Sequence, residues 1–260
     1  MPVYRLILTA ISALAIALSI RADVVLEFSL LRTAHQGERE TARDETQARA
    51  WIGHQRARLD TPRKATFILW AKENKLIVLN SREKTYLVFD LPINEEDYLD
   101  EDGLRIKKEI LAEIDPAVRF QRLESLETIG SWPAHRYHIE ITGSGDRIFY
   151  EGDFWISDRL PSDMSLYKEL QRAIEPLGVF PGLWKHHILD LDGIVVQRTK
   201  VDKKGKMQFI TRETLEAIRE VEPERGRYEP PADYQRIEAD SQLFAESTPA
   251  GPIPGAAPRR

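Results

Sequence analysis

Lys64–Leu91, KATFILWAKENKLIVLNSREKTYLVFDL, decides the fold. It contains three short runs of strand-forming residues, Thr66–Trp70, Leu76–Leu79 and Thr85–Phe89. Lys72–Lys75 and Asn80–Glu83 separate them, and both spacers are polar turn formers. β-branched and aromatic runs of this length, broken by Asn, Ser and charge, read as a β-meander. Antiparallel pairing follows, because turns this short cannot carry a parallel crossover.

Working outward, further strands are expected on both sides. Val24, Leu26, Phe28 and Leu30 form one wholly apolar set at a period of two. Arg32–Gln47 is charged and weakly patterned, and fits either a solvated strand or a loop. Gln47–Asp60 reads as one strand, ended by Thr61-Pro62. Beyond Pro92, Glu95–Ile114 carries Leu104, Ile106, Ile110, Leu111 and Ile114 at helical spacing, with Gly103 weakening its start. Phe120–Ile129 and Ala134–Thr142 form a hairpin, and Arg147–Ser157 is the next strand. Gly152 inside that strand signals a bulge or a close backbone approach. Ser162–Leu177 reads as a second helix with Ser162 as its N-cap and Gly178 as its stop. His187–Asp202 and Met207–Thr211 form another hairpin, while Leu215–Val221 fits a helix or a strand equally well. The fold class is therefore α+β, mainly antiparallel β, with two helices over one face.

The ends carry different information. Arg5, then the uncharged Leu6–Ile20, apolar apart from Thr9 and Ser12, then small residues up to Ser19 and Ala22, form the three-part pattern of a secretory signal peptide. The apolar run is short for a spanning helix, so the expectation is a cleaved leader (1–22), cut after Ser19 or Ala22, and no integral membrane span in the mature chain. The domain is expected over 23–238, and the Ser-, Pro-, Ala- and Gly-rich 239–260 as a disordered tail.

The chain holds no cysteine, which excludes disulfides, thiolate metal sites and acylation at a mature N-terminal Cys. Loss of Arg5 and Arg21 with the leader leaves 35 cationic side chains against 42 acids, a net charge of −7. An acidic chain without a basic block argues against nucleic acid and anionic membrane surfaces as partners.

A hydrolase is the third reading, and the catalytic signals for it are weak. His186-His187 would point to opposite faces of a strand, and His135 and His138 have the same defect for sharing a metal. Gly143-Ser144-Gly145 lacks the further glycine and helix of a phosphate cradle. Ser131 and Ser157 sit in no nucleophile elbow. No catalytic residue, metal ligand or cofactor is assigned. Aromatic residues on strands are the better candidates: Trp51, Trp70, Trp132 and Trp155 lie in or beside strands, with Trp184 outside them. A wide apolar sheet face either packs on helices or lines a pocket. For the pocket the candidates are Phe28, Trp51, Trp70, Phe89, Tyr137 and Trp155. A charge at Trp70 or Phe89 is expected to abolish ligand uptake and leave the fold intact.

WIGHQRARLDT at 51–61, KLIVLNSREKTYLVFDL at 75–91, IGSWPAHRYHIE at 129–140, FWISDRLP at 154–161 and RYEPPADYQRIE at 227–238 together carry a resemblance. The chain resembles a family of exported bacterial domains similar in fold to the periplasmic carrier of outer-membrane lipoproteins (LolA-like). The likeness runs from about Asp23 to Glu238, on loose motifs such as Arg58-Leu59-Asp60, Lys84-x-Tyr86 and Pro230-Pro231-x-x-Tyr234. It implies a strongly curved, open half barrel with the helices on its concave face. It also implies a periplasmic, non-enzymatic protein that holds an acyl chain or another apolar ligand, or binds another envelope protein. Shape does not carry cargo with it.

Overall fold

The structure is a computed structural model and describes residues 22–62, 65–94, 96, 98–114, 117–143, 147–177 and 188–238. The expected leader, apart from Ala22, and the expected tail lie outside them, as do Trp184, His186 and His187.

Twelve strands form one open sheet, in the order β12-β6-β5-β4-β3-β2-β1-β11-β10-β9-β8-β7. The meander is β4 (Ala65–Trp70), β5 (Lys75–Asn80) and β6 (Thr85–Asp90). β1 (Asp23–Gln36) and β2 (Arg39–Ile52) form a long hairpin, so the charged Arg32–Gln47 resolves into strand around a turn at Gly37. Gln47–Asp60 is not one strand: it breaks at Gly53–Gln55, and β3 (Arg56–Asp60) turns back along β2. A Cβ at Gly53 would stand 2.8 Å from both the Asp23 carboxylate and the Tyr228 hydroxyl, so a larger residue at this corner would displace one of these side chains.

β7 (Ala117–Ile129), β8 (Trp132–Gly143) and β9 (Arg147–Ser157) follow as expected. Gly152 marks a close approach: a Cβ there would stand 2.6 Å from the Thr199 carbonyl oxygen. β10 (Ile194–Lys204) and β11 (Met207–Val221) close the long-range topology, because β11 pairs with β1 over nearly its whole length. Leu215–Val221 is therefore strand: cross-strand packing against Asp23–Phe28 overrides good helix propensity. All neighbours are antiparallel except β12 (Gln235–Arg236), which lies parallel to β6.

Helix α1 spans Glu101–Ile114, starting six residues later than expected. The Asp100 carboxylate accepts the Gly103 N–H at 2.7 Å, so Gly103 lies inside a capped first turn. Helix α2 spans Ser165–Ile174, three residues late, and a 3-10 turn (Glu175–Leu177) extends it. Ser162 is not its cap. The carboxylate of Asp163 instead accepts the Ser165 N–H at 2.9 Å.

α2 lies across β2, β3 and β4. Its Tyr167, Leu170 and Ala173 are buried, spaced three apart on one side. They close a core of Leu26, Phe28, Ala50, Leu69, Leu76 and Phe89. α1 approaches β8; of its apolar stripe Leu104 is half-buried, and the side chains of Ile106, Ile110, Leu111 and Ile114 lie outside the described set.

Candidate functional site

The ladders sort the strand residues onto two faces. Phe28 faces Leu215, and Phe89 continues a row through Leu76, Leu69 and Ala57. These lie on the face that α2 covers. The rings of Phe28 and Tyr167 stack at 6.1 Å, and Phe89 meets Tyr98 edge-on at 6.4 Å. Further along the sheet, Tyr137 pairs with Phe154, and Phe154 with Arg198. Phe120 stacks on Tyr137 at 5.2 Å.

One charged pair interrupts this apolar face. Arg198 donates to Glu213 at 2.6 and 3.2 Å across β10 and β11. Glu213 is two residues from the buried Leu215 and so shares its side of the sheet. The charge of Glu213 holds the Arg198 guanidinium above its ordinary value. Burial pushes the Tyr150 and Tyr167 hydroxyls up, and both feel the Arg198 charge.

The other face has a different cover. Residues 222–237 run back over β3–β6 as a strap. Trp70 donates its indole N–H to the Tyr228 carbonyl at 2.7 Å. Tyr228 donates its hydroxyl to Asp23 at 2.8 Å, and Arg227 reaches the same carboxylate at 3.5 Å. Asp23 is only 2% exposed. Trp51 lies between the guanidiniums of Arg58 and Arg227, at 5.7 and 5.6 Å from the ring centre. Under the strap a pocket of about 480 Å³ opens, lined by Trp70, Ile77, Tyr86, Val88, Pro231 and Tyr234 among others. Lys75, Glu229 and Arg236 make its walls partly ionic.

The six residues singled out from the sequence therefore do not surround one volume. Phe28 and Phe89 lie under the helix. Trp51 and Trp70 lie on the opposite face as anchors of the strap, and of the six only Trp70 lines the strap pocket. Tyr137 and Trp155 point to opposite sides, since Tyr137 pairs with Phe154 and Trp155 with Arg136. Trp155 donates its indole N–H to Glu127 at 2.8 Å. Phe89 is 4% exposed, so a charge there is expected to unfold the domain rather than only block a ligand. The sequence reading missed Asp23, Arg227, Tyr228, Arg198 and Glu213. A signal existed for Arg227 and Tyr228, the first two residues of the quoted RYEPPADYQRIE segment.

His138 lies 2.8 Å from an Asp153 oxygen, a carboxylate–histidine contact directly across the β8–β9 ladder. Arg136 donates to the same carboxylate at 2.7 Å, and that bond raises its pKa. Asp153 is thus the hub of a cross-strand ion cluster. Among the described residues, no three His, Asp or Glu side chains are placed to hold a metal ion.

No protein-family model matches the chain, and no curated protein matches it. Among solved structures, the crystal structure of a LolA superfamily protein from Nitrosomonas europaea aligns over 78% of this chain and 88% of its own. The sequence identity is 7% and the TM-score 0.24. A superposition this loose carries no argument about function. Among the described residues, no helix is long and apolar enough to cross a membrane.

Proposed function

We propose that the protein is an exported, non-enzymatic binding protein that holds an acyl chain or a similar apolar ligand against the helix-covered face of its sheet. The observation that carries this is the mismatch between face and cover. Aromatic and aliphatic side chains extend across the sheet in three clusters: α2 contributes Tyr167, Leu170 and Ala173 to the first two, whereas the third, around Tyr137, Ile139 and Phe154, contains no α2 residue. On this reading the sheet curves into a half barrel with both helices on its concave side. Phe28 and Tyr137 contact the ligand, and Arg198 with Glu213 meets its polar end. The leader of 1–22 is removed on export to the periplasm; support comes from β1, which begins at Asp23, directly after Ala22.

The test is mass spectrometry of an organic extract of the purified protein, followed by binding of a fluorescent fatty acid. The expected result is a co-purifying acyl species and saturable binding. A clean extract together with no binding overturns the proposal.

A specific observation favours a second reading, that of an envelope interaction module with a filled core. The space beneath α2 is occupied by the stacked Phe28 and Tyr167 and by Leu170, which has no exposure. Under that reading, crosslinking in envelope extract captures a protein partner and the extract contains no lipid.

A further inference from the structure

The two ends of the sheet are finished differently. At the β6 end the strap pairs on: Gln235 N–H donates to Lys84 and Ile237 N–H to Tyr86, both at 2.9 Å. At the other end, β7 pairs only with β8 among the described residues. Its thirteen residues are exposed or half-exposed throughout, and Leu126 is 58% exposed. A long bare edge is a template for another strand.

The order of charges on β7 says which strand. Arg119 and Arg122 are followed by Glu124 and Glu127. Laid antiparallel on a second copy about a two-fold axis at Leu123, Arg119 faces the partner's Glu127 and Arg122 faces the partner's Glu124. Phe120 then faces the partner's exposed Leu126. Both acid–base pairs require the same register. Moving the axis by one residue sets Arg122 against itself or Glu124 against itself, which disfavours those alternatives. We propose that β7 is a self-pairing seam, at which two copies join their sheets antiparallel across Leu123.

The charges set register rather than affinity, because exposed pairs contribute little. Arg119 already lies 3.4 Å from Glu140, and Glu127 accepts from Ser125 and Trp155. Association rests on the added backbone ladder and on the Phe120–Leu126 contacts. A bulge works against it: β7 shifts register on β8 between Arg122 and Leu126, and bulges turn edges away from partners.

The absence of cysteine makes the seam directly testable. Directly opposed antiparallel residues stand roughly 4.5–5.5 Å apart at Cα, within disulfide reach. In the full-length chain, Leu123→Cys is expected to form a covalent dimer on mild oxidation. Gln121→Cys alone is expected to stay monomeric and to cross-link only when mixed with Ser125→Cys, which faces it. Sedimentation equilibrium supplies a second arm. Glu124→Arg with Glu127→Arg, and separately Arg119→Glu with Arg122→Glu, are each expected to weaken self-association tenfold or more. Mixing the two variants is expected to restore it, which misfolded variants would not do. A wild-type chain that stays monomeric at every concentration overturns the proposal. So does Gln121→Cys cross-linking as readily as Leu123→Cys, or charge variants that associate like wild type.

Discussion

The β3–β6 third of the sheet and the β7 end are built from the same kind of strand but live in opposite surroundings. β4 and β5 are covered on both faces, by α2 on one side and the strap on the other. Consecutive residues are consequently buried: Ile68 and Leu69 have no exposure, and Leu76 and Ile77 have 0% and 1%. Among the described residues β7 has no such double cover, and none of its thirteen residues is buried. Stability is therefore expected to be concentrated at the meander, leaving the far end free to meet a ligand or a partner. A double cover also explains why strands β4 and β5 read as continuous apolar runs rather than as alternating ones.

The sharpest way to break this contrast is to remove the same side chain from both ends. Leu76→Ala is expected to cost about 2–5 kcal/mol, the usual cost of emptying a fully buried leucine site. Urea unfolding followed by circular dichroism measures it. A loss under about 1 kcal/mol would mean that the meander is not the stable centre.

The strap comes next. Asp23→Ala leaves Arg227, whose side chain is 13% exposed, without its buried partner and removes the acceptor of the Tyr228 hydroxyl. The expected loss is about 1–3 kcal/mol. Limited proteolysis should find earlier cuts within 222–237, while the β7–β9 region keeps its cleavage pattern. Simultaneous new cuts in both regions would show that strap and sheet unfold as one unit.

High pH probes the same buried hydroxyls. Tyr150, Tyr167 and Tyr228 have folded pKa values raised above the unfolded value of about 10, in each case chiefly by burial. Folding thus favours their neutral forms. That contribution is complete below about pH 10 and is lost as pH rises from there through the folded values. These three tyrosines are expected to stay protonated, by absorbance at 295 nm, until the domain unfolds. Titration of every tyrosine together near pH 10 with native circular dichroism would remove this account.

How far the sequence could be read follows the same division. The meander, the β7–β8 and β10–β11 hairpins and both helices were legible because each rests on local periodicity and nearby turn residues, whereas the β1–β2 hairpin was not, because Arg32–Gln47 is charged and weakly patterned. The β11–β1 pairing was not, since it joins residues nearly two hundred positions apart and nothing local announces it. Helix starts were misplaced because α1 is capped by Asp100, while α2 starts after Met164, which has no capping side chain, and Asp163 accepts the Ser165 N–H from one position further back. The candidate site was read least well. Aromatic identity marks a residue as valuable but not which face it takes, and Gly53–Gln55 breaks the chain between Trp51 and Trp70. Both then lie under a strap whose course depends on Asp23, at the other end of the chain.

The smallest effect is expected at the bare end, and it is informative for that reason. Leu126 is more than half exposed on a strand that, among the described residues, is paired on one side only. In the isolated protomer, Leu126→Ala empties no packed site, so its cost should stay within about 0.5 kcal/mol. If β7 joins a second copy, however, the same substitution removes an apolar contact from the seam, and its cost appears only where the dimer is populated. Thermal unfolding at low and high protein concentration separates the two cases. The variant should match wild type when dilute and fall below it when concentrated. A substantial, concentration-independent loss would mean that Leu126 packs within its own protomer, and the contrast between the two ends of the sheet would fail at the exposed end.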